Sequence, residues 1–362
     1  MPAIRFYIIL LFSFQSFHLL KAQEYPANIE EAKALMYRVN DYYLSGEWKN
    51  NDRNWKRGTY FIGLMAFYEA SGDSVLFHQA LTWAQKHGWR TGTEWTFPPN
   101  RLTCSQTYLQ IYFKKPNPFY IERTQSFMDK RVENREPAGE QGWDYVDALF
   151  VGTPAWIMMS EATGNRVYSD YGCRMFFEVQ HDLYNTKHHL FYRDEKAKTS
   201  QKSNYDPEFW ARGNGWAMAA IPRILQYLAE DHSQRGSFID LFTEMASIIK
   251  DLQQEDGFWR SDLLHPTKYP NPESSSTALF TYALAWGINN DLLNEESYSQ
   301  VVEKAWRALA GIVDQNGKVC YGQTESRDPG PVDKSDSDEF VSGVFLLAGS
   351  EMINLYRSRA EK

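Results

Sequence analysis

The sequence has little cysteine: three of its 362 residues, Cys104, Cys173 and Cys320. Three cysteines form at most one disulfide, so the fold is not a small scaffold that depends on a disulfide framework. Their spacing contains no Cys-x-x-Cys and no cysteine–histidine pair typical of a zinc site. We expect buried free thiols, which behave as small apolar side chains.

An excess of positive charge is also lacking. Lys and Arg number 38 against 46 Asp and Glu, and the net charge is −8. An acidic chain has no general attraction for phosphate backbones, so we expect no nucleic acid partner. Aromatic residues, in contrast, are abundant, with 12 Trp, 22 Tyr and 22 Phe. Sugar CH faces pack on aromatic rings, so this composition fits a carbohydrate-active protein, although it also fits a large helical core.

No long hydrophobic run follows the first twenty residues, so we expect no membrane span in the rest of the chain. Phe6–Leu20 is apolar, but it is too short and too poorly flanked to remain in a bilayer. Ala22 is a suitable last residue before cleavage. We predict a signal peptide over residues 1–22, an exported mature chain over residues 23–362, and no membrane association after cleavage.

Strand-like alternation and linkers rich in Pro, Gly or Ser are nearly absent. Apolar residues recur instead at helical spacing in about twelve segments, and nothing divides these into two domains. The segments are Glu31–Leu44, Trp55–Ser71, Val75–His87, Leu102–Lys114, Tyr120–Val132, Tyr145–Thr163, Val167–Leu183, Trp210–Ala229, Phe238–Gln254, Ser274–Leu292, Glu296–Asp314 and Glu339–Arg357.

Every second segment carries small residues, such as Gly63 and Gly343, on its apolar face. Small side chains let helices pack closely on more than one side, as an inner ring of helices requires. Phe67–Asp73 and Met159–Asn165 resemble each other, each ending a helix with a glycine. We predict an all-α, single-domain (α/α)6 barrel with its pocket where the inner helices begin. A repeat solenoid fits less well, because the spacing is uneven.

Two carboxylates, Asp144 and Asp147, open the sixth segment between Trp143 and Phe150. A structural interpretation makes Asp144 the N-cap and Asp147 its partner three residues later, both favoured by the helix dipole. A functional interpretation notes that Trp143 and Tyr145 flank the acids. A carboxyl group surrounded by aromatic rings is desolvated, so its pKa rises and it can donate a proton near neutral pH.

The eighth segment opens with Trp210 to Trp216, read as Trp-Ala-Arg-Gly-Asn-Gly-Trp. Glycine in a helix costs about 1 kcal/mol relative to alanine, so the two glycines indicate a close approach to the backbone. Arg212 could clamp a carboxylate with two parallel hydrogen bonds. The alternative is tight helix packing with Arg212 in a structural ion pair.

His188 and His189 lie in the loop between these two segments, within His-His-Leu-Phe-Tyr-Arg-Asp. A histidine in a loop is a better site candidate than one on an apolar face, but a lone histidine more often makes a local hydrogen bond. No second His or Cys follows at ligand spacing, so we predict no metal site.

Together these motifs resemble the unsaturated glucuronyl and rhamnogalacturonyl hydrolases, glycoside hydrolase families 88 and 105, and more closely the latter. The resemblance runs through the whole mature chain. It rests on Gln106–Leu109, Asp147–Phe150, Ala162–Tyr168, His189–Asp194, Trp210–Trp216 and Phe345–Glu351.

The resemblance implies an (α/α)6 barrel that needs no metal or cofactor and removes a 4,5-unsaturated uronic acid from oligosaccharides made by polysaccharide lyases. It implies that Asp147 is the general acid and base. It places His189 and Arg212 at the uronate, with Arg212 near the carboxylate. Trp216 and Tyr145, and by position Trp143, would offer aromatic surface to the sugar.

One stretch departs from the family. Members usually carry an Asp pair shortly before the Gln-Thr-Tyr-Leu element, whereas this chain has Asn100 at the nearest position and no carboxylate. Asn100 can hydrogen-bond hydroxyl groups but cannot act as a base, which points to a different unsaturated oligosaccharide. Arg101 adds a cation there, and our hypothesis is that it favours a further anionic group such as a sulfate.

Three alternatives remain open: a non-catalytic sugar-binding relative, a polysaccharide lyase and a sugar epimerase. An epimerase would need paired histidines facing one pocket, and a lyase a Tyr, His and Arg set for proton abstraction. An exo-acting enzyme on short fragments is most useful where fragments are retained, so we favour the periplasm over the exterior.

Overall fold

The computed structural model describes residues 26–48, 52–93, 97–200 and 207–361, which form a mostly helical fold. The predicted signal peptide lies outside these residues. The helices are α1 Ile29–Ser45, α2 Trp55–Ser71, α3 Ser74–Lys86, α4 Pro98–Arg101, α5 Thr103–Lys114, α6 Glu122–Asp129, α7 Ala148–Val151, α8 Thr153–Thr163, α9 Arg166–Leu183, α10 Glu195–Ser200, α11 Ala211–Leu225, α12 Arg235–Asp251, α13 Ser274–Asn289, α14 Glu295–Gly311 and α15 Glu339–Glu361. In this part of the chain, the sheet is one antiparallel pair, β1 Tyr184–Asn185 and β2 Leu190–Phe191.

Side-chain caps and glycines set many helix boundaries. Asn28, Asn54 and Asn294 each accept a hydrogen bond from a backbone N–H in the first turn of α1, α2 and α14, which satisfies a donor that the helix leaves free. Gly72 and Gly164 end α2 and α8 in the left-handed conformation, with φ of 75° and 68°. The repeated glycine signal in the sequence therefore marks real helix ends.

Six helices close into an inner ring. Along the ring, α2 contacts α5, α5 contacts α8, α8 contacts α11, α11 contacts α13, α13 contacts α15, and α15 returns to α2. The other long helices, α1, α3, α9, α12 and α14, pack against α15, α2, α8, α11 and α13 from outside. The inner helices are the second, fourth, sixth, eighth, tenth and twelfth predicted segments, and the predicted (α/α)6 barrel is confirmed.

The ring closes through a glycine contact. A Cβ atom on Gly63 of α2 would lie 2.0 Å from the carbonyl oxygen of Gly343 in α15, and one on Gly343 would lie 2.5 Å from the carbonyl oxygen of Thr59. These two backbones therefore touch, which explains the small residues on their faces. Beside this contact, Lys56 pairs with Asp338 at 2.7 Å, and Arg57 pairs with Glu339.

The sixth predicted helix is interrupted. The sequence predicts one helix over Tyr145–Thr163, but the structure has α7 and α8 with Gly152 between them. A Cβ at Gly152 would lie 2.5 Å from the ring of Trp143, and Pro154 lacks the N–H that a continuous helix would use. The capping interpretation of the two acids is also wrong, because Asp144 is exposed outside the helix and Asp147, at the N-cap of α7, makes no side-chain cap.

Smaller differences lie at helix ends. Tyr120–Val132 contains a 3-10 turn before α6, and α11 ends at Leu225, three residues after Pro222. All three cysteines are buried thiols outside any disulfide of the described chain. No helix among the described residues is long and apolar enough to cross a membrane.

Candidate active site

A cavity of about 350 Å³ opens at the end of the barrel where the inner helices begin, and we call it the acid cavity. Its lining comes from the starts of α2, α7 and α11, from α4, and from the loop before α15. The lining residues are Asn54, Trp55, Thr93, Phe97, Asn100, Tyr145, Asp147, Val151, Arg193, Arg212, Trp216, Glu325, Ser326 and Arg327. It thus gathers five predicted site residues: Asp147, Arg212, Trp216, Tyr145 and Asn100.

Asp147 is the acid of this cavity. Its side chain is 19% exposed, and its Oδ2 atom is buried without a hydrogen-bond partner in the described part of the chain. Burial raises the pKa of Asp147, while the positive charges of Arg193 and Arg212 act in the opposite direction. A carboxyl group in this setting holds a proton more readily than one in water, as a general acid must.

Arg193 lies beside this acid and was not predicted as a site residue. Its Nε is 3.8 Å from Oδ2 of Asp147, and its Nη1 pairs with Asp194 at 2.5 Å. A backbone hydrogen bond holds Arg193 there, because the N–H of Val146 donates to the carbonyl of Arg193 at 2.8 Å. The sequence signal was its place in the His-His-Leu-Phe-Tyr-Arg-Asp element, in which the histidines were the predicted site residues.

Asn100 and Tyr145 form a polar pair on the cavity wall. The hydroxyl of Tyr145 donates to Oδ1 of Asn100, and the ring of Phe97 meets that of Tyr145 edge-on at 5.4 Å. Asn100 therefore occupies the cavity, as its sequence position suggested. As an amide, it brings hydrogen-bonding capacity without a second negative charge.

Arg212 is buried and bound to the loop that covers the cavity. Its guanidinium donates to the carbonyls of Gln323 and Thr324, the latter at 2.9 Å, and stacks over the rings of Trp210 and Phe340. Its Nε is buried without a hydrogen-bond partner among the described residues. Because two of its nitrogens are committed to backbone oxygens, Arg212 fixes the loop over the cavity as well as charging it.

The rest of the Arg-Gly-Asn-Gly element serves packing. Cβ atoms at Gly213 and Gly215 would lie 3.0 Å from side chains of neighbouring elements, so the glycines permit close packing of α11. Asn214 holds the hairpin strand, accepting from the N–H of Phe191 at 2.7 Å and donating to its carbonyl at 3.0 Å. That strand leads to Arg193, so the element positions Arg193 and Arg212 at the cavity.

Aromatic rings form the apolar side of the cavity. Trp216 is fully buried, with its ring centroid 4.8 Å from that of Phe150 and 6.3 Å from that of Trp55. Trp55, at the start of α2, is only partly buried. The cavity therefore combines a desolvated acid, three arginines (Arg193, Arg212 and Arg327) and ring surfaces, a composition suited to an anionic sugar.

The structure corrects the placement of two predicted residues, neither of which lines this cavity. His189 lies in the hairpin turn with φ of 54°, and its Nδ1 is 2.5 Å from Glu244 of α12. Arg193, four residues later, lines the cavity. Trp143 is buried and packs over Gly152, where it supports the break between α7 and α8.

Among the described residues, no group of three or more His, Cys, Asp or Glu side chains could hold a metal ion.

Comparison with known proteins agrees with this geometry. The sequence model described as Glycosyl Hydrolase Family 88 matches residues 29–356. An "Unsaturated 3S-rhamnoglycuronyl hydrolase" of Alteromonas sp. (strain LOR) is 31% identical over 322 residues, covering 84% of this chain and 78% of that protein.

Solved structures show the same fold. A family 88 glycosyl hydrolase from Bacteroides vulgatus has a TM-score of 0.83 and 30% identity, covering 90% of this chain and 99% of that one. A structure named as a polysaccharide lyase has a TM-score of 0.84 and 28% identity, covering 91% and 98%. The family match covers nearly all of the barrel, including every residue of the acid cavity. The chain therefore belongs to glycoside hydrolase family 88 and is a glycosidase.

Proposed function

We propose that this glycosidase removes a 4,5-unsaturated uronic acid from the non-reducing end of oligosaccharides released by a polysaccharide lyase, of the rhamnogalacturonan or ulvan type. The observation that carries the proposal is Asp147, the one desolvated carboxyl group among the described residues that line the acid cavity, which lies near Arg193 and Arg212. The curated relative's name, an unsaturated rhamnoglycuronyl hydrolase, supports the same substrate class.

The number of carboxylates in the acid cavity argues against ordinary glycoside hydrolysis, which uses two carboxyl groups that flank the cleaved bond. The other described carboxylate lining the acid cavity is Glu325, whose side chain is 63% exposed and pairs with Lys56 at 3.0 Å. A partner that is exposed and neutralised is poorly suited to be a nucleophile or base. Hydration of an unsaturated uronide requires only one acid, which Asp147 supplies.

The reaction uses the vinyl ether of the unsaturated sugar. Protonated Asp147 transfers its proton to C4, which forms a C–H bond and leaves an oxocarbenium-like centre at C5. The Asp147 carboxylate then accepts a proton from water as the water oxygen bonds to C5. The resulting hemiketal opens as the bond between C5 and the ring oxygen breaks and the proton of the C5 hydroxyl passes to that oxygen, which leaves a ketone at C5 and a hemiacetal at C1. The hemiacetal then breaks its bond to the leaving sugar, whose oxygen receives the hemiacetal proton, and an aldehyde remains at C1. One water is consumed and Asp147 is again protonated.

The other cavity residues hold the substrate. Arg193 lies closest to Asp147 and carries the charge that a uronate carboxylate requires, while Arg212 adds a second, buried charge. Asn100 and Tyr145 offer hydrogen bonds to hydroxyl groups. Trp55, which is only partly buried, supplies ring surface to the sugar, and the buried Trp216 packs edge-on against Trp55.

The test follows the ultraviolet absorbance of the conjugated double bond with unsaturated disaccharides from several lyases. Wild type and Asp147→Asn are compared side by side, and Asp144→Asn, which changes an exposed acid three residues away, is the matched control. We expect the absorbance to fall with wild type and with Asp144→Asn, but not with Asp147→Asn.

The sign of the absorbance change separates the alternatives. A lyase creates the conjugated bond, so absorbance would rise when intact polysaccharide is supplied. No change on any substrate, together with measurable binding of the disaccharides, would favour a sugar-binding relative.

We also propose that residues 1–22 are removed on export and that the mature protein acts in the periplasm. The basis is the apolar run Phe6–Leu20 followed by Ala22. Mass spectrometry of the protein's N-terminus in periplasmic and cytosolic fractions tests this. An intact Met1 in cytosolic protein alone would contradict it.

A further inference from the structure

A second and larger cavity lies next to the acid cavity, and we call it the cationic cavity. Its volume is about 750 Å³. Its walls come from the segment before α4, from α4 and from α6 with the turn that follows. The lining residues are Arg53, Arg90, Thr91, Gly92, Thr93, Arg101, Glu122, Arg123, Ser126, Phe127, Lys130 and Arg131.

The two cavities are contiguous. Thr93 lines both. At two further points, adjacent residues divide between them: Arg53 and Arg101 line the cationic cavity, whereas Asn54 and Asn100 line the acid cavity. Consecutive Cα atoms are about 3.8 Å apart, so one oligosaccharide can extend from one cavity into the other.

The described cations of this cavity outnumber its described carboxylates. It is lined by Arg90, Arg123, Lys130 and Arg131, and Glu122 is the one carboxylate among its described lining residues. The ion pairs of the described chain include none for Arg90, Arg123, Lys130 or Arg131. By contrast, Arg166 and Arg359, on the outer helix α9 and at the end of α15, each pair with carboxylates. In a chain of net charge −8, such a concentration of positive charge indicates a site for anions.

Part of this positive charge is held in place. Arg53 donates to the carbonyl of Thr91 at 2.9 Å, and Arg101 donates to the hydroxyl of Thr91 at 3.1 Å. The guanidiniums of Arg101 and Arg131 lie 4.7 and 3.6 Å from the ring centroid of Phe127. Guanidinium groups that an aromatic ring and hydrogen bonds already hold in place need little further ordering when an anion binds.

We propose that the cationic cavity binds sulfate ester or uronate carboxylate groups on the leaving part of the substrate, beyond the sugar attached to the cleaved unit. This inference rests on the proposed function and extends the hypothesis for Arg101 to a whole site. The cavity is larger than the acid cavity, so it suits a charged sugar segment better than a single small ion. The enzyme then prefers longer anionic oligosaccharides to disaccharides.

The test compares a tetrasaccharide with the disaccharide that a lyase makes from the same sulfated, uronate-containing polysaccharide. The variant is Arg123→Ala with Lys130→Ala. Both residues are exposed, and their side chains make no hydrogen bond or ion pair in the described structure. We expect the ratio of kcat/KM for the tetrasaccharide to that for the disaccharide to fall about tenfold, because two charge contacts are lost. The wild-type ratio should also fall as salt is added.

The matched control is Arg38→Ala with Arg307→Ala, which removes two exposed cations from the outer helices α1 and α14. It changes the net charge equally but should leave the ratio unchanged. A desulfated tetrasaccharide distinguishes the ligands: loss of the preference identifies sulfate, and its persistence identifies the carboxylates.

An unchanged ratio in Arg123→Ala/Lys130→Ala, or an equal fall in the control, would overturn the proposal while leaving the hydrolase function intact. If no unsaturated substrate is turned over, the hydrolase function fails instead. Calorimetry of tetrasaccharide binding to the full chain then decides about the cavity. Binding weakened about tenfold by the two substitutions would support it, and equal affinity would overturn it.

Discussion

The acid cavity and the cationic cavity lie side by side but solve opposite electrostatic problems. In the acid cavity, Asp147 is withdrawn from water among aromatic rings, and burial raises its pKa. In the cationic cavity, residues such as Arg90, Arg123 and Lys130 are exposed to water. The first arrangement prepares one proton for transfer, and the second offers attraction to any anion that arrives.

The difference teaches that proton transfer and charge recognition need separate surroundings. Crowding the cations of the cationic cavity around Asp147 would lower its pKa and leave it ionised, without a proton to donate. Two arginines, Arg193 and Arg212, act to lower the pKa of Asp147, and the effect of burial outweighs them. Arg53 and Arg101, the sequence neighbours of Asn54 and Asn100, line the cationic cavity instead.

The sharpest way to separate the cavities is Asp147→Asn. Without a proton donor in the acid cavity, kcat should fall about a thousandfold, within the usual range for general acid catalysis. Tetrasaccharide affinity measured by calorimetry should remain, because the cationic cavity is untouched. Activity within tenfold of wild type would remove Asp147 from the mechanism.

A smaller effect is expected from Arg193→Gln, which removes the nearest charge from the acid. Arg193 lowers the pKa of Asp147, so its loss raises that pKa. Because Asp147 must be protonated to act, activity is lost as pH rises through its pKa, and the alkaline limb should move to higher pH. We expect kcat/KM at the optimum to fall about tenfold as a charge-assisted contact to the uronate is lost.

Arg193→Lys keeps the charge and is the control for this limb. A limb that moves equally in Arg193→Lys and Arg193→Gln would show that shape, and not charge, sets the pKa.

The neutral wall of the acid cavity should contribute less. Tyr145→Phe removes the hydroxyl that donates to Asn100, and we expect KM to rise about fivefold, as one net hydrogen bond is worth about 1 kcal/mol. Tyr192→Phe removes a comparable bond, from Asn185 at 2.8 Å, outside the cavity. Equal KM changes in the two variants would mean that the effect is general.

The smallest effect concerns stability. The folded-state pKa of Asp147 is raised, so its ionised form destabilises the fold, and this loss grows as pH rises through that pKa. Asp147→Asn should therefore raise Tm at neutral pH, and the gain should vanish below the unfolded-state pKa. A gain in Tm that does not depend on pH would exclude this origin.

Glu351→Gln is the control, because it changes a second carboxyl group whose pKa is raised by burial. Burial also raises the pKa of Glu351, which lies on α15 and lines a different cavity. It should show the same pH-dependent gain in Tm while activity is retained.

The sequence predicted the barrel well because helical periodicity and small residues such as Gly63 are local signals of packing. It also brought Asp147, Asn100 and Arg212 to one place, since each lies near the start of an inner helix. It misplaced His189, because the contact of this side chain with Glu244 of α12 joins segments that are far apart in the sequence. The break at Gly152, which depends on contact with Trp143, is a tertiary effect.

The cationic cavity was hardly visible in the sequence. The sequence indicated Arg101 alone as an additional cation. The other cations of the cavity are Arg53, Arg90 and those in the stretch from Arg123 to Arg131. No motif joins these segments, and only the packing of α6 beside α4 brings them together.

The contact between Gly63 and Gly343 has a consequence for biosynthesis. The first inner helix is joined to the last one, and the ion pairs of Lys56 and Arg57 also wait for residues 338 and 339. A ribosome must therefore finish almost the whole chain before the ring can close, because contacts so distant in sequence form late. Until α15 has emerged, Trp55 and Trp216 lack their neighbour Phe340, so the nascent chain has no completed acid cavity.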